Sequence, residues 1–343
     1  MRYLPLAEIR EGMLLARNIY GNDGRVLLVK GAKLTKTYLQ KLKEMNYTHL
    51  YVGEKEEDLE FKGPISDQTY SEAIAAVREV LLRAAKDQNL GLKTVLDVVD
   101  FMVDEVVEED VLFNIIDLKN HNNYTYLHSV NVSIISTIMG KVLGLNRNKL
   151  KELAAGALLH DIGKVFIENT ILEKTEDLSY QEYEKMMFHS KYGFDLLREI
   201  PELSLLSAHV AYQHHEREDG SGYPRALNAD EIHLYAKITM VADSYDAMTS
   251  GRSYRRVLWS HEAIEELISD SPKKYDPKVV TALTQSVALY PVGSVVLLNN
   301  LEVAIVNDVS TKRIRIQLLT GEKKGEIIEL FADSLIKIER RLS

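Results

Sequence analysis

The chain has 343 residues and no cysteine at all. That absence excludes disulfides and thiolate metal sites, and it fits a cytoplasmic protein. Long apolar runs are lacking too. No stretch approaches the length of about 18 apolar residues that a membrane-spanning helix needs, so none is expected. The start, MRYLPLAEIREGM, interrupts its apolar residues with Pro5, Glu8 and Arg10, so no signal-peptide core is expected there. Positive charge is scarce: Lys plus Arg total 42 against 51 Asp plus Glu, a formal net charge of -9. This balance argues against long nucleic acid as a partner, although a few local cations could hold a small anion. The acid runs at 54–60 and 104–110 read as a solvated linker and a solvated helix face. Low-complexity tracts and long internal repeats are missing as well.

What is present belongs to a globular protein of two or three domains, with 45% hydrophobic and 27% charged residues. Residues 1–52 read as a small α+β module. GNDGRVLLVKG offers an Asp-Gly turn and then a strand, LTKTYLQKLKEMNY a helix capped by Thr35, and THLYV a further strand. Residues 53–65 read as an acidic linker, and 66–120 as a helical lead-in with apolar stripes around Ile74, Val77, Leu81 and Val95. Those stripes could pair two subunits into a homodimer or pack on their own domain. Helical spacing continues at 122–143, 148–160, 179–199, 202–215, 231–249 and 260–269, so the chain from about 66 to 289 reads as all-α. After Pro291, VGSVVLL, EVAIVNDV, RIRIQLL and GEIIELF are divided by turn residues, so 290–343 reads as a small β domain.

Several of the ten histidines are placed where helices could bring them together. His128, His160, His189, His214 and His215 each lie in or at the end of a helix-like segment, accompanied by Asp161 and Asp243. Five imidazoles and two carboxylates are enough ligands for two metal ions, and helical bundles build such sites from inward-facing side chains. Any one of these histidines alone would read as a packed core residue. The adjacent pair His214-His215 is less ordinary. Neighbours on a helix point about 100° apart, which suits two metals better than one, and a helix end would help both rings turn inward. Lys164 follows His160-Asp161 by a short turn. Arg252, Arg255 and Arg256 follow Asp243, and next to a dimetal centre they become candidate phosphate ligands.

Five segments in consistent order carry a resemblance over roughly 121–289: HNNYTYLHSVNVS, AGALLHDIGK, HSKYGFDLL, HHEREDGSGYP and VADSYDAMTSGRSYRR. Together they resemble the HD-GYP family of cyclic-dinucleotide phosphodiesterases, a branch of the HD superfamily. The resemblance implies a mainly α, HD-superfamily helical bundle flanked by the two small modules. It implies metal ligation by His128, His160, Asp161, His189, His214, His215 and Asp243, with Asp161 bridging. Asp161 and Lys164 would be catalytic, and Lys164 would contact the scissile phosphate. Tyr223, Arg252 and Arg255 would bind substrate. Tyr124 stands where some members carry a glutamate for a third metal, so two metals are expected. Asp246 reads as structural, and His121 as framework.

The implied activity is hydrolysis of cyclic di-GMP to pGpG, and then to GMP if a second cut follows. A hydroxide activated by the two metals would attack phosphorus in line with the departing ribose 3′ oxygen. A histidine-rich, thiolate-free ligand set suits several divalent transition metals, and the resemblance favours iron or manganese. Neutral imidazoles are required, so activity should fall steeply below about pH 6. Rival readings are an HD-type phosphohydrolase acting on another cyclic dinucleotide or a nucleotide, and a catalytically silent sensor that binds cyclic di-GMP or a partner protein.

Overall fold

Caps and turn residues set where the chain begins its helices. The computed structural model describes the chain except residues 22, 46, 48, 60–62, 109–111, 113–123, 175, 251–256, 311, 332 and 343. The N-terminal module contains β1 (Arg2–Pro5), β2 (Leu14–Leu15), β3 (Ile19–Tyr20), β4 (Val26–Leu28), α1 (Lys36–Glu44) and β5 (His49–Gly53). The Thr35 hydroxyl accepts the Tyr38 amide at 3.2 Å and starts α1, as expected from its position. Antiparallel pairing orders one sheet β1-β5-β2, and β3-β4 form a separate ribbon. Leu15, Leu34, Leu50 and Val52 close a small core between these strands and α1.

The helical region follows with α2 (Asp67–Ala84), α3 (Lys93–Glu108), α4 (Tyr124–Val142), α5 (Arg147–Leu158), α6 (Asn169–Leu172), α7 (Tyr180–Leu197), α8 (Leu205–Gln213), α9 (Leu234–Thr249), α10 (Ser260–Asp270) and α11 (Pro277–Ser286). The chain is therefore mainly α, with eleven α-helices among the described residues. Helix α2 starts at Ser66, whose hydroxyl accepts the Thr69 amide at 3.2 Å. Glu105 of α3 accepts from the Ser66 and Thr69 hydroxyls at 2.9 and 2.6 Å, which clamps the two helices together. Ile74, Val77, Val95, Val99 and Met102 of this pair share one core with Val130, Ile134, Leu150, Leu158 and Val241. A capping box at Ser179 and Glu182 opens α7. Helix α11 is additional to the helices read from periodicity. Asp276 caps it and Pro277 fills its first turn, a start signal that depends on two residues rather than on a long apolar repeat.

The C-terminal strands β6 (Val295–Leu298), β7 (Val303–Val309), β8 (Ile314–Leu318), β9 (Ile327–Leu330) and β10 (Ile338–Arg341) make one antiparallel sheet, ordered β10-β6-β7-β8-β9. Alternation in β7 buries Ala304 and Val306 against Val296, Leu298 and Ile316. The Arg341 guanidinium lies 3.8 Å from the centre of the Trp259 ring, so the last strand touches the helical region just before α10. No helix among the described residues is long and apolar enough to cross a membrane.

Candidate metal centre

Helix α5 ends at Leu158, and Leu159 leaves helical geometry (φ -107°, ψ 8°). His160 and Asp161 therefore sit in the turn before a short 3-10 segment, Ile162–Phe166, rather than inside a helix. That segment lies against α7 at Gly163. A Cβ there would stand 2.0 Å from the His189 carbonyl oxygen and 2.5 Å from the Gly193 amide nitrogen, so no other residue fits without moving backbone. The close approach delivers Asp161 to His189. Helix α4 adds His128, the end of α8 adds His214 and His215, and α9 adds Asp243.

The seven side chains gather into two groups that could each hold a metal ion: Asp161 with His189, His214 and His215, and His128 with His160 and Asp243. His128 Nε2 lies 3.1 Å from Asp243 Oδ1. The Asp161 carboxylate lies between the groups. Its Oδ1 is 3.4 Å from His189 Nε2 and 3.7 Å from His214 Nε2, while its Oδ2 is 3.3 Å from His160 Nε2 and 4.0 Å from His128 Nε2. Lys164 pairs with the same Oδ2 and keeps part of its side chain exposed. His160 and Asp161 thus fall in different groups. His214 and His215 do not, contrary to the separation that helical geometry suggests. Helix α8 stops at Gln213, and the two rings turn to the same side with centroids 4.0 Å apart.

Hydrogen bonds decide which ring nitrogen faces inward. The Nδ1–H of His160 donates to the Ala157 carbonyl at 2.7 Å, that of His189 to Met186 at 2.6 Å, and that of His214 to Ala211 at 3.0 Å. His128 Nδ1–H donates to Asp246 Oδ2 at 2.6 Å. Carbonyl and carboxylate oxygens only accept, so each Nδ1 carries the proton and each Nε2 presents a lone pair to the centre. His160 Nε2 and Asp161 Oδ1 are buried there with no hydrogen-bond partner. Orphaned polar atoms converging in this way fit a metal ion as their missing partner.

Charge and burial act against each other in the centre. Burial pushes the Asp161 carboxyl up, but Lys164 and His160 prevail and hold it well below the usual carboxylate range. Asp243 is likewise held low, against burial, chiefly by His128 beside it and then by His160 and His215. Burial drives His189 down to about 3 and also lowers His214 and His215, so these rings stay neutral in mild acid. His160 differs: burial lowers it, yet the adjacent Asp161 outweighs burial and the net direction is up.

The Tyr223 ring stacks on His215, with centroids 4.7 Å apart and planes 26° apart. Burial raises its hydroxyl pKa, so the phenol stays neutral. Arg252 and Arg255 lie outside the described residues. Two carboxylates contribute more than the motifs indicated. Fully buried Glu216 accepts the Arg225 and Leu227 amides, both at 2.9 Å, and thereby anchors the segment that carries Tyr223. Its place directly after His215 is a signal only once its burial is known. Asp246 orients His128, and its spacing of three from Asp243 puts both carboxylates on one face of α9. Glu216→Ala is expected to lower unfolding stability by about 1–3 kcal/mol, because the buried Leu227 amide loses its acceptor. An unchanged urea midpoint would show that another group satisfies that amide.

Comparison with known proteins agrees with this architecture. Residues 110–279 match the HD domain family. Cyclic di-GMP phosphodiesterase PA4108 of Pseudomonas aeruginosa is 33% identical over 237 residues, which cover 69% of this chain and 57% of that protein. A cyclic di-GMP phosphodiesterase of Thermotoga maritima is 39% identical over 180 residues, 51% of this chain and 49% of that protein. The 3'3'-cGAMP-specific phosphodiesterase 2 of Vibrio cholerae is 32% identical over 201 residues, 57% of this chain and 38% of that protein. The matches to the first two relatives span about half of each relative's length. Residues 110–279 are thus an HD domain, and its ordered His/Asp motifs with the intact Gly222-Tyr223-Pro224 segment resemble the HD-GYP branch of that family.

Proposed function

We propose that this chain hydrolyses cyclic di-GMP to pGpG, and onward to GMP where a second cut follows, using two divalent transition metals, iron or manganese. The observation that carries the reading is the Asp161 carboxylate, whose two oxygens face two separate groups of imidazole and carboxylate donors. His128, His160 and Asp243 would hold one ion. His189, His214 and His215 would hold the other, and Asp161 would reach both. When bound, the metals would lower the pKa of a water and neutralise charge on the phosphoryl oxygens.

The protein's own groups do the positioning. Carbonyls and Asp246 keep the Nε2 atoms of His128, His160, His189 and His214 unprotonated and aimed inward. Lys164, beside Asp161, places a cation where negative charge grows as water adds to phosphorus and the bond to the 3′ oxygen breaks. That oxygen leaves with a proton. Neutral Tyr223, stacked on His215, would line the substrate pocket, and Arg252 and Arg255 would bind the substrate's phosphates. Relatives named for 3'3'-cGAMP favour a second reading, in which the same chemistry acts on the mixed cyclic dinucleotide.

The test is anaerobic purification, separate loading with iron or manganese, and chromatography of cyclic di-GMP and 3'3'-cGAMP reactions. Conversion of cyclic di-GMP to pGpG or GMP is expected. Faster conversion of 3'3'-cGAMP would select the second reading, and binding of a nucleotide without conversion would make the chain a sensor.

The two groups are also expected to release metal at different acidities. His160 is held above the ordinary histidine value, so protons compete for it first as pH falls. His189, at about 3, and the lowered His214 and His215 resist protonation much longer. Elemental analysis after dialysis at stepped pH should show one ion leaving first, with activity, and the second leaving only in stronger acid. Loss of both ions in a single step would contradict this.

A further inference from the structure

A file of buried polar groups runs from the metal centre to the N-terminal module. Asp246 gives one oxygen to His128 Nδ1–H at 2.6 Å and accepts the Asn131 amide at 3.2 Å on the other. Asn131 in turn accepts the Tyr70 hydroxyl at 3.0 Å. Asp246 and Asn131 are buried, and Tyr70 nearly so. The direction of these bonds follows from chemistry: a carboxylate only accepts, so Asn131 must turn its NH2 to Asp246, which leaves its carbonyl to Tyr70. Tyr70 belongs to α2, outside the matched residues 110–279. Its ring tilts onto that of Tyr20 in β3, with centroids 5.2 Å apart. The Tyr20 hydroxyl and the Asn18 amide both donate to the Asp67 carboxylate at 2.9 Å, in the first turn of α2.

A carboxylate on the outer nitrogen of a metal-binding histidine fixes its ring and raises the basicity of the inner nitrogen. Here that carboxylate is held by an amide whose orientation Tyr70 supports. We propose that Tyr70, acting through Asn131 and Asp246, is a positioning residue for His128. The lead-in helix and the N-terminal module thereby help set the metal affinity of the His128–His160–Asp243 group. This inference rests on the metal-dependent reading above.

The test uses the full chain, titrated with manganese(II) chloride and followed by the electron paramagnetic resonance of free ion and by elemental analysis. Wild type is expected to bind two ions. Tyr70→Phe keeps the ring on Tyr20 and removes only the hydroxyl. It should weaken one ion about 10-fold and leave the other unchanged, and Asp246→Asn should weaken the same ion about 10–100-fold. Ser207→Ala removes a 2.6 Å bond to the Glu152 carbonyl, away from this file. It serves as the control for a structural loss, expected to lower thermal stability with both affinities intact. Wild-type affinity for both ions in folded Tyr70→Phe and Asp246→Asn would overturn the relay. Equal weakening of both ions in these variants and in Ser207→Ala would reduce it to general destabilisation. A wild-type chain that takes up no manganese, iron or other divalent transition metal would overturn the metal-dependent reading, and the relay with it.

Discussion

Under the proposed hydrolysis of cyclic di-GMP, Asp161→Ala is expected to abolish turnover, with a loss of at least roughly 10³-fold in kcat. Replacing a group that merely supports a metal ligand costs about 10–100-fold. Asp161 makes direct approaches to four cluster histidines, from 3.3 Å at His160 to 4.0 Å at His128, and it pairs with Lys164. Removing it takes away the carboxylate that lies between the two groups. It also removes the anion that lifts His160, so that ring becomes easier to deprotonate while the centre loses negative charge. Cations then face one another with less compensation, and metal affinity should fall in both groups. Chromatography of wild type and variant, each loaded with the same metal, checks the result. A variant within 10-fold of wild type would remove Asp161 from the shared position.

Gly163→Ala should damage the same centre through sterics alone. The added methyl would begin 2.0 Å from the His189 carbonyl oxygen, where real contacts lie above 3.0 Å. The obstructing atoms are backbone, so no side chain can swing aside. Either the 3-10 segment or α7 must move by an ångström or more, and each holds a cluster residue in place, Asp161 just before the segment and His189 within α7. Overpacking of this kind costs about 1–3 kcal/mol, and a displacement near an ångström at a reacting centre can cost about 10²-fold in rate. A melting temperature lower by several degrees and a 100-fold loss of activity are expected. Thermal unfolding and the chromatographic assay read both. Normal stability would mean that the segment relaxes without cost, and the packing argument would fail.

These two positions show what motif reading can reach. HDIGK names Asp161 and Lys164 because the residue types and their order are explicit. The glycine between them needs the fold to explain it, since its constraint comes from a helix that begins seventeen residues later, at Tyr180. The pair His214-His215 shows the opposite error. Helical geometry separates the rings, but α8 ends one residue earlier, and both join one group. Helix ends depend on local hydrogen bonding that periodicity does not record. Asp246 read as structural, and its contact with His128 spans 118 residues of sequence.

By itself the sequence determined the mainly helical class, the flanking β-rich segments, the inventory of seven metal-type ligands and the exclusion of thiolate chemistry. Those follow from local spacing and composition, which act over a few residues. Tertiary structure alone decided which ligands share a group, which nitrogen His128, His160, His189 and His214 turn inward, how Asp161 sets His160 apart from the equally buried His189, and that Tyr70 meets Asn131 behind Asp246. Each of these depends on distances between atoms far apart along the chain, and on the desolvation that packing imposes on them.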